Sequence, residues 1–297
     1  MIRSKNILLD TNGLKQAAKN HLKRFGIAAM TAIIGLMLVL TAHAQNQDQA
    51  GQPTVFQAAG PSVSSIQSAV DQFRSALGGD NNGVAAGPFA TGRREINWDG
   101  GNSTNIATSL GPTPLDQFLS GRGTRFTTGG GFIQATPKGL ADFFGNPGYE
   151  TIFRAFSQSR LFSPIGSNVT ETTFFVPSGV NGVVGAPATT RGFGVVFTDV
   201  DLPGGNGLIS RSIIDRGNRP QSTLVEYFSA DGQLLFSSFA PASPGDGNQS
   251  FLGVVFDDAR IARVRITTGA TPGPDDSRTQ DVVMMDDFIY GEPHRIQ

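Results

Sequence analysis

The chain has 297 residues, of which 23 are basic and 24 acidic, and charged residues make up only 16% of it. It contains no cysteine, which excludes disulfides, thiol nucleophiles and zinc sites built on cysteine. The first 44 residues hold six basic residues and one acid, so the rest of the chain carries 17 basic and 23 acidic residues. This acidic balance argues against a nucleic-acid partner, because such partners require a basic surface.

The N-terminal residues have the pattern of a secretory signal peptide. A basic stretch up to Arg24 is followed by an apolar run of 14 residues, 27–40, and then by Ala42-His43-Ala44. A membrane span needs about 20 apolar residues, so this run is too short to be an anchor. We therefore predict a signal peptide over residues 1–44, an exported protein that is secreted or periplasmic, and no membrane span in the mature chain.

The segment after the signal peptide is predicted to hold one helix between two loose stretches. Residues 45–63 are rich in Gln, Ala, Gly and Pro and are expected to be a disordered leader. Residues 64–77 carry one apolar stripe at helical spacing and are followed by Gly78-Gly79, which predicts a helix that packs outside the next domain. A glycine-rich linker is expected to complete residues 64–92.

Residues 93–292 are predicted to form one antiparallel β-sandwich domain. The alternation in Arg93–Asp99 indicates a half-buried strand with Ile96 and Trp98 on one side. Further predicted strands, rich in Val, Ile, Phe or Thr, are 172–176, 192–197, 223–229, 234–239, 251–256, 261–267 and 282–290. No helical pattern alternates with them, so we expect an all-β, jelly-roll-like sandwich rather than a parallel α/β sheet.

Turn residues predict how some of these strands connect. Asp231-Gly232 is a strong hairpin signal, and residues 257–260 are a second hairpin candidate. Residues 126–135 read as a hairpin-like piece, and residues 149–157 as a short helix or turn. Residues 293–297 are expected to be a tail.

Several stretches resemble an uncharacterised family of exported bacterial β-sandwich proteins: GRREINWDG (92–100), GFGVVFTDVDLP (192–203), SFLGVVFDDARIARVRITTG (250–269) and DVVMMDDFIYGEP (281–293). The resemblance extends over most of residues 66–293. It implies export and a sandwich fold and brings no catalytic residues with it. More loosely, the ending MMDDFIYG is similar to the last strand of secreted jelly-roll sandwiches, in which an acidic residue often contacts a structural calcium ion.

Histidine-dependent catalysis is not expected. His21 and His43 lie in the predicted signal peptide, and His294 lies in the predicted tail, whereas a Ser-His-Asp site needs a firmly held imidazole. The glycine-rich stretches 128–131 and 204–207 lack the lysine of a phosphate-binding loop and are expected to be turns. A glycosidase stays open, because it needs only two carboxylates at the right separation.

Asp199 and Asp201 are candidate calcium ligands. They follow a predicted apolar strand and precede a tight loop, and calcium prefers carboxylate and carbonyl oxygens. Carbonyl groups around Gly204-Gly205-Asn206 could add further oxygens. The alternative is a solvated turn, and Asp275-Asp276 is expected to be plain loop.

Asp286 and Asp287 are the second pair of candidate ligands. They lie inside an apolar strand, where successive side chains face opposite ways, so one of them should point inward. A buried carboxylate must be paired or metal-bound. An ion pair with Arg263 or Arg265 and a structural calcium ion both remain open.

Trp98, the single tryptophan, is a candidate for stacking on a glycan, with core packing as the alternative. The aromatic content is mostly phenylalanine, 22 residues, which favours the core. Three functions remain: an exported non-catalytic module that binds extracellular glycans or the cell surface, an inert structural or matrix protein, and a carboxylate-dependent glycoside-active enzyme.

Overall fold

The computed structural model describes residues 51–100, 107–111, 113–203, 222–277 and 280–296. In these ranges the chain forms two antiparallel sheets with few helices, which confirms the predicted all-β, sandwich-like fold. No helix in the described residues is long and apolar enough to cross a membrane. The predicted signal peptide 1–44 and the glycine-rich loop 204–207 lie outside the described residues.

The described residues contain fifteen strands and four helices. The strands are β1 (Thr54–Gly60), β2 (Arg93–Ile96), β3 (Thr108–Ser109), β4 (Thr124–Thr127), β5 (Gly131–Ala135), β6 (Leu161–Ile165), β7 (Val169–Phe175), β8 (Pro187–Thr189), β9 (Gly192–Thr198), β10 (Leu224–Phe228), β11 (Leu234–Phe239), β12 (Gln249–Val255), β13 (Arg263–Thr267), β14 (Met284–Gly291) and β15 (His294–Arg295). The helices are α1 (Val63–Ala76), α2 (Leu119–Arg122), α3 (Pro137–Phe144) and α4 (Tyr149–Ile152).

The two sheets are built from strands that are mostly not consecutive in the chain. The first sheet has the order β1-β12-β9-β14-β6-β5-β3, and β2 also pairs with β14. The second has the order β11-β10-β13-β7-β8-β15, and β4 also pairs with β7. The main core contains buried side chains from both sheets, and Trp98 stacks on Phe162 within it at a ring-centroid distance of 3.7 Å.

Helix α1 confirms the predicted helix over 64–77 and packs on the first sheet. Its stripe buries Ile66, Val70 and Phe73. The Phe73 ring lies over Gly194 of β9 and Gly253 of β12, which pair directly across the two strands. A Cβ atom would lie 2.8 Å from the ring at the first glycine and 2.6 Å at the second, so only glycine leaves room for the ring. Burying such a ring stabilises the domain by about 1.5–3 kcal/mol.

Two predicted segments at the borders of the domain are wrong. Residues 54–60 of the expected leader 45–63 form strand β1, which pairs along its whole length with β12. Phe56 of this strand packs against Phe73, and the backbone pairing compensates for a composition of small and polar residues. In the expected tail 293–297, His294 and Arg295 pair with β8. The sandwich therefore begins before residue 93 and continues beyond residue 292.

The hairpin predictions have different outcomes. Strands β10 and β11 pair around Asp231-Gly232, as predicted, and Gly232 has the left-handed backbone (φ 83°) that this turn needs. The turn at 257–260 instead carries the chain from β12 in the first sheet to β13 in the second. Similarly, 126–135 connects β4 and β5, which belong to different sheets. Turn residues fix a reversal of the chain, but not whether the flanking strands pair.

Candidate metal centre

Three aspartates converge at one end of the first sheet. Asp199, Asp276 and Asp281, here called the Asp199 cluster, each offer one carboxylate oxygen, and these oxygens all lie within 4.8 Å of one another. An ion bound by all three would therefore connect two distant parts of the chain, the end of β9 and the connection from β13 to β14.

Strand β9 positions Asp199. Its last residue, Thr198, pairs with both β12 and β14, and Asp199 follows directly. Asp199 has φ 67°, a left-handed conformation that aspartate adopts more readily than most residues. Its N–H donates to the carbonyl of Asn248 over 3.1 Å. The side chain thus leaves the strand at a fixed angle instead of continuing its alternation.

The connection between β13 and β14 positions the other two aspartates. The carbonyl of Asp281 accepts a hydrogen bond from Ala270 N–H over 2.7 Å, which closes the base of this loop. Asp276 Oδ1 accepts from Val282 N–H over 2.9 Å. Asp281 is therefore held through its main chain and Asp276 through its carboxylate, both by the connection that leads into the buried strand β14.

Two oxygens of the cluster are buried without a hydrogen-bond partner among the described residues. Asp199 and Asp281 are each only 2% exposed. Asp199 Oδ2 and Asp281 Oδ2 accept no hydrogen bond from any described group. Buried polar atoms are nearly always paired, so these carboxylate oxygens require a compensating group, either a proton or a cation.

Further acids surround the cluster. Asp201 N–H lies 3.5 Å from Asp281 Oδ1, and Asp201 Oδ1 accepts from Gly245 N–H. Burial, together with the neighbouring carboxylates, Asp246 among them, raises the pKa of Asp199 to about 9. Burial also raises the pKa of Asp281 to about 7. The cluster is therefore a region of negative potential with a high affinity for positive charge.

The sequence predicted only part of this centre. Asp199 lies in the cluster and Asp201 beside it, whereas Asp276, expected to be plain loop, is half-buried within the cluster. Asp281 was not singled out. Its position directly before the predicted strand 282–290 is the signal that could have found it, because Asp199 was singled out in the same way, as an acid next to an apolar strand.

Asp286 and Asp287 belong to a different group. Together with Asp99 they surround Ser157 Oγ, which lies 2.6 Å from Asp287, 3.3 Å from Asp286 and 3.3 Å from Asp99; we call this group the Asp286 cluster. Phe156 N–H also donates to Asp286 Oδ2 over 2.6 Å. The Asp286 and Asp287 carboxylates thus have protein partners, whereas Asp199 Oδ2 and Asp281 Oδ2 of the Asp199 cluster accept no hydrogen bond from a described group.

The predicted arginine partners of the Asp286 cluster are wrong. Arg263 and Arg265 form ion pairs with Glu171 in the second sheet, because their strand, β13, is not a neighbour of β14. The partner of Asp287 is Arg74 of helix α1, at 3.4 Å, and Arg74 also pairs with Glu95.

A β-bulge explains why both aspartates are buried on one side. The register between β14 and β9 shifts between Met285 and Phe288, so Asp286 and Asp287 together oppose a single residue of β9. The predicted alternation of the two side chains is therefore wrong. Burial, with Asp287 and Asp99 nearby, raises the pKa of Asp286 well above the usual carboxyl range.

Trp98 does not provide a stacking face for a glycan. Its side chain is 1% exposed, and its Nε1–H donates to the carbonyl of Asp286 over 3.1 Å. It borders a surface hollow of about 460 Å³, together with Phe118 and Arg122, but the ring itself is covered by neighbouring aromatic rings. The ligand-binding prediction for Trp98 is wrong, and core packing is confirmed.

Comparison of the chain with protein-family models, with curated proteins and with solved structures found no match.

Proposed function

We propose that this chain is an exported, non-catalytic β-sandwich module whose fold holds a structural Ca²⁺ ion at the Asp199 cluster. The observation that carries this proposal is the pair of buried carboxylate oxygens, Asp199 Oδ2 and Asp281 Oδ2, that have no hydrogen-bond partner among the described residues. A cation that accepts several oxygens would compensate both of them at once.

Calcium fits this donor set better than other common metals. All candidate ligands are carboxylates, and calcium binds six to eight oxygens in irregular geometries at about 2.3–2.6 Å. The three oxygens lie within 4.8 Å of one another, close enough for one ion to contact all of them. Zinc favours nitrogen and sulfur ligands, and magnesium demands a stricter octahedron at shorter distances.

A structural module fits the molecule better than a glycan-binding one. Glycan-binding faces stack sugars on exposed Trp or Tyr rings, as the aromatic ring offers a flat apolar surface. The chain has one tryptophan and three tyrosines, and Trp98, Tyr149, Tyr227 and Tyr290 are all buried. Export, a jelly-roll-like strand arrangement and membership of the family that the sequence resembles are parts of the same proposal.

The test is a direct measurement of calcium binding. Isothermal titration of the purified, chelator-treated protein is expected to give one site with a dissociation constant of about 10⁻⁴–10⁻³ M, the range of extracellular calcium modules, and much weaker binding of magnesium. Asp281→Asn is expected to lower the affinity at least about tenfold, because it removes a buried ligand charge. Asp275→Asn, an exposed neighbour in the same loop, is the matched control and should bind as the parent does. A folded protein that takes up no calcium would falsify the proposal.

A further inference from the structure

The Asp199 cluster lies where three neighbouring strands of the first sheet end together. Thr198 of β9 pairs with Gln249 of β12 on one side and with Met284 of β14 on the other. Asp199 follows Thr198, and Asp281 precedes β14 by a short connection. Repulsion between these carboxylates would therefore push apart the ends of β9, β12 and β14, and an ion bound between them would hold these ends together.

When its carboxylates are ionised, the forces within the cluster oppose folding unless a cation compensates them. Asp199 and Asp281 are 2% exposed, and Asp201, Asp246 and Asp276 lie around them. In the described part of the chain, no arginine, lysine or histidine forms an ion pair with any of these five. Like charges moved out of water without a counter-ion cost a large part of a domain's marginal stability.

We infer that Ca²⁺ binding at the Asp199 cluster completes the folding of this domain, so that the chain folds where calcium is abundant and stays unfolded where it is scarce. This inference rests on the proposed function. In the unfolded chain the five carboxylates are separate and hydrated, and no site exists. The ion therefore binds the folded state alone, and its binding free energy becomes folding free energy.

With the expected affinity, the domain would fold outside the cell and stay unfolded in the cytoplasm. A site with a dissociation constant of about 10⁻⁴–10⁻³ M fills at the calcium concentrations outside cells and stays empty at the much lower concentrations of a cytoplasm. Folding would then wait until the chain has been exported. This fits a chain that contains no disulfide to trigger or lock its folding after export.

Trp98 provides the readout. It is the single tryptophan of the chain, and its ring lies in the main core, stacked on Phe162. Its emission therefore reports whether the two sheets have packed, and far-UV circular dichroism reports the strands. The purified protein is placed in chelator and titrated with calcium to about 5 mM, above the affinity range of extracellular calcium modules. Magnesium and sodium chloride at equal ionic strength are the controls.

The expected result is a cooperative transition driven by calcium alone. The ratio of folded to unfolded protein should rise about 6- to 50-fold between chelator and about 5 mM calcium, the factor 1 + [Ca²⁺]/Kd for the expected dissociation constants, along the same curve as the binding isotherm. Asp281→Asn should lose this calcium dependence, whereas Asp275→Asn should keep the parental midpoint.

Two outcomes separate the inference from the proposed function. If the protein binds calcium but its Trp98 emission and circular dichroism are the same in chelator, the inference is overturned and the structural calcium site stands. If the folded protein binds no calcium at all, both fail. An Asp281→Asn variant that folds with calcium at the parental midpoint also overturns the inference.

Discussion

Arg94 and Glu292 form an ion pair that is almost completely removed from solvent. Their side chains are 0% and 1% exposed, and two parallel hydrogen bonds of 2.8 and 2.7 Å join them. Arg94 Nη1 also donates to the carbonyls of Gly83, Ala85 and Gly121. One guanidinium thus ties the loop before β2 and helix α2 to the end of β14.

Removing one member of this pair is expected to destabilise the domain strongly. Glu292→Gln leaves the Arg94 charge buried and uncompensated, at a cost of about 3–5 kcal/mol in the free energy of unfolding. Urea unfolding in saturating calcium measures this. Asp142→Asn, which removes the exposed pair with Lys138, is the control and should leave the urea midpoint unchanged. A Glu292→Gln midpoint close to that of the control would contradict the prediction.

At the scale of single residues, the sequence showed which side chains were candidate ligands or core residues better than it showed which of them lie next to one another. Asp199 was recognisable because an acid followed an apolar strand, and Trp98 was recognisable as a core residue from its alternation with polar neighbours. Asp276 and Asp281 were not recognisable as its neighbours, because which loops meet at the end of a sheet depends on strand order. The ion pair of Arg94 and Glu292 was missed for the same reason.

The β-bulge in β14 is the element-level feature that concentrates charge in the Asp286 cluster. It places Asp286 and Asp287 on one side, facing Asp99 and Ser157, while Arg74 and Glu95 lie on the far side of Asp287. The raised pKa of Asp286 means that the folded cluster binds a proton at a higher pH than the unfolded chain does.

This proton predicts a pH dependence of stability. The pKa of Asp286 is higher in the folded than in the unfolded state, so stability should fall as pH rises from the ordinary carboxyl range through the raised pKa. Asp286→Asn, which resembles the protonated form, should flatten this part of the profile. Thermal unfolding between about pH 4 and 9, with both proteins in the same buffer and calcium concentration, measures the two profiles. Parallel profiles for the two proteins would refute the assignment.

Elements with strong local signals were predictable, and those that depend on pairing partners were not. The strand pair β10–β11 was predicted because Asp231-Gly232 fixes its turn. Strand β1 was taken for a leader, because its sequence TVFQAAG is weakly apolar and its stability comes from pairing with β12. The turn at 257–260 was recognised as a reversal, but the switch of sheets there has no local signature.

For the molecule as a whole, export predicts a defined N-terminus. The apolar run 27–40 is shorter than the roughly 20 residues of a membrane span, and Ala42-His43-Ala44 matches the small-x-small pattern of a cleavage site. Material exported by a bacterial host is expected to begin at Gln45 by N-terminal sequencing. Ala44→Phe should leave an uncleaved precursor, because the cleavage site needs a small side chain. Parental protein that keeps residues 1–44 in the membrane fraction would count against export.

The Phe73 ring and the two glycines beneath it also limit how this protein can change over generations. Gly194 and Gly253 lie opposite each other, and each leaves no room for a Cβ atom below the ring. A Cβ atom at Gly194 or Gly253 would also lie 3.1 Å or 2.9 Å from the Phe251 ring, so a side chain there needs both rings to shift or become smaller, and a ring at 73 demands both glycines. Positions 73, 194 and 253 are therefore expected to coevolve. Among divergent relatives they should change together or not at all, although they lie far apart along the chain.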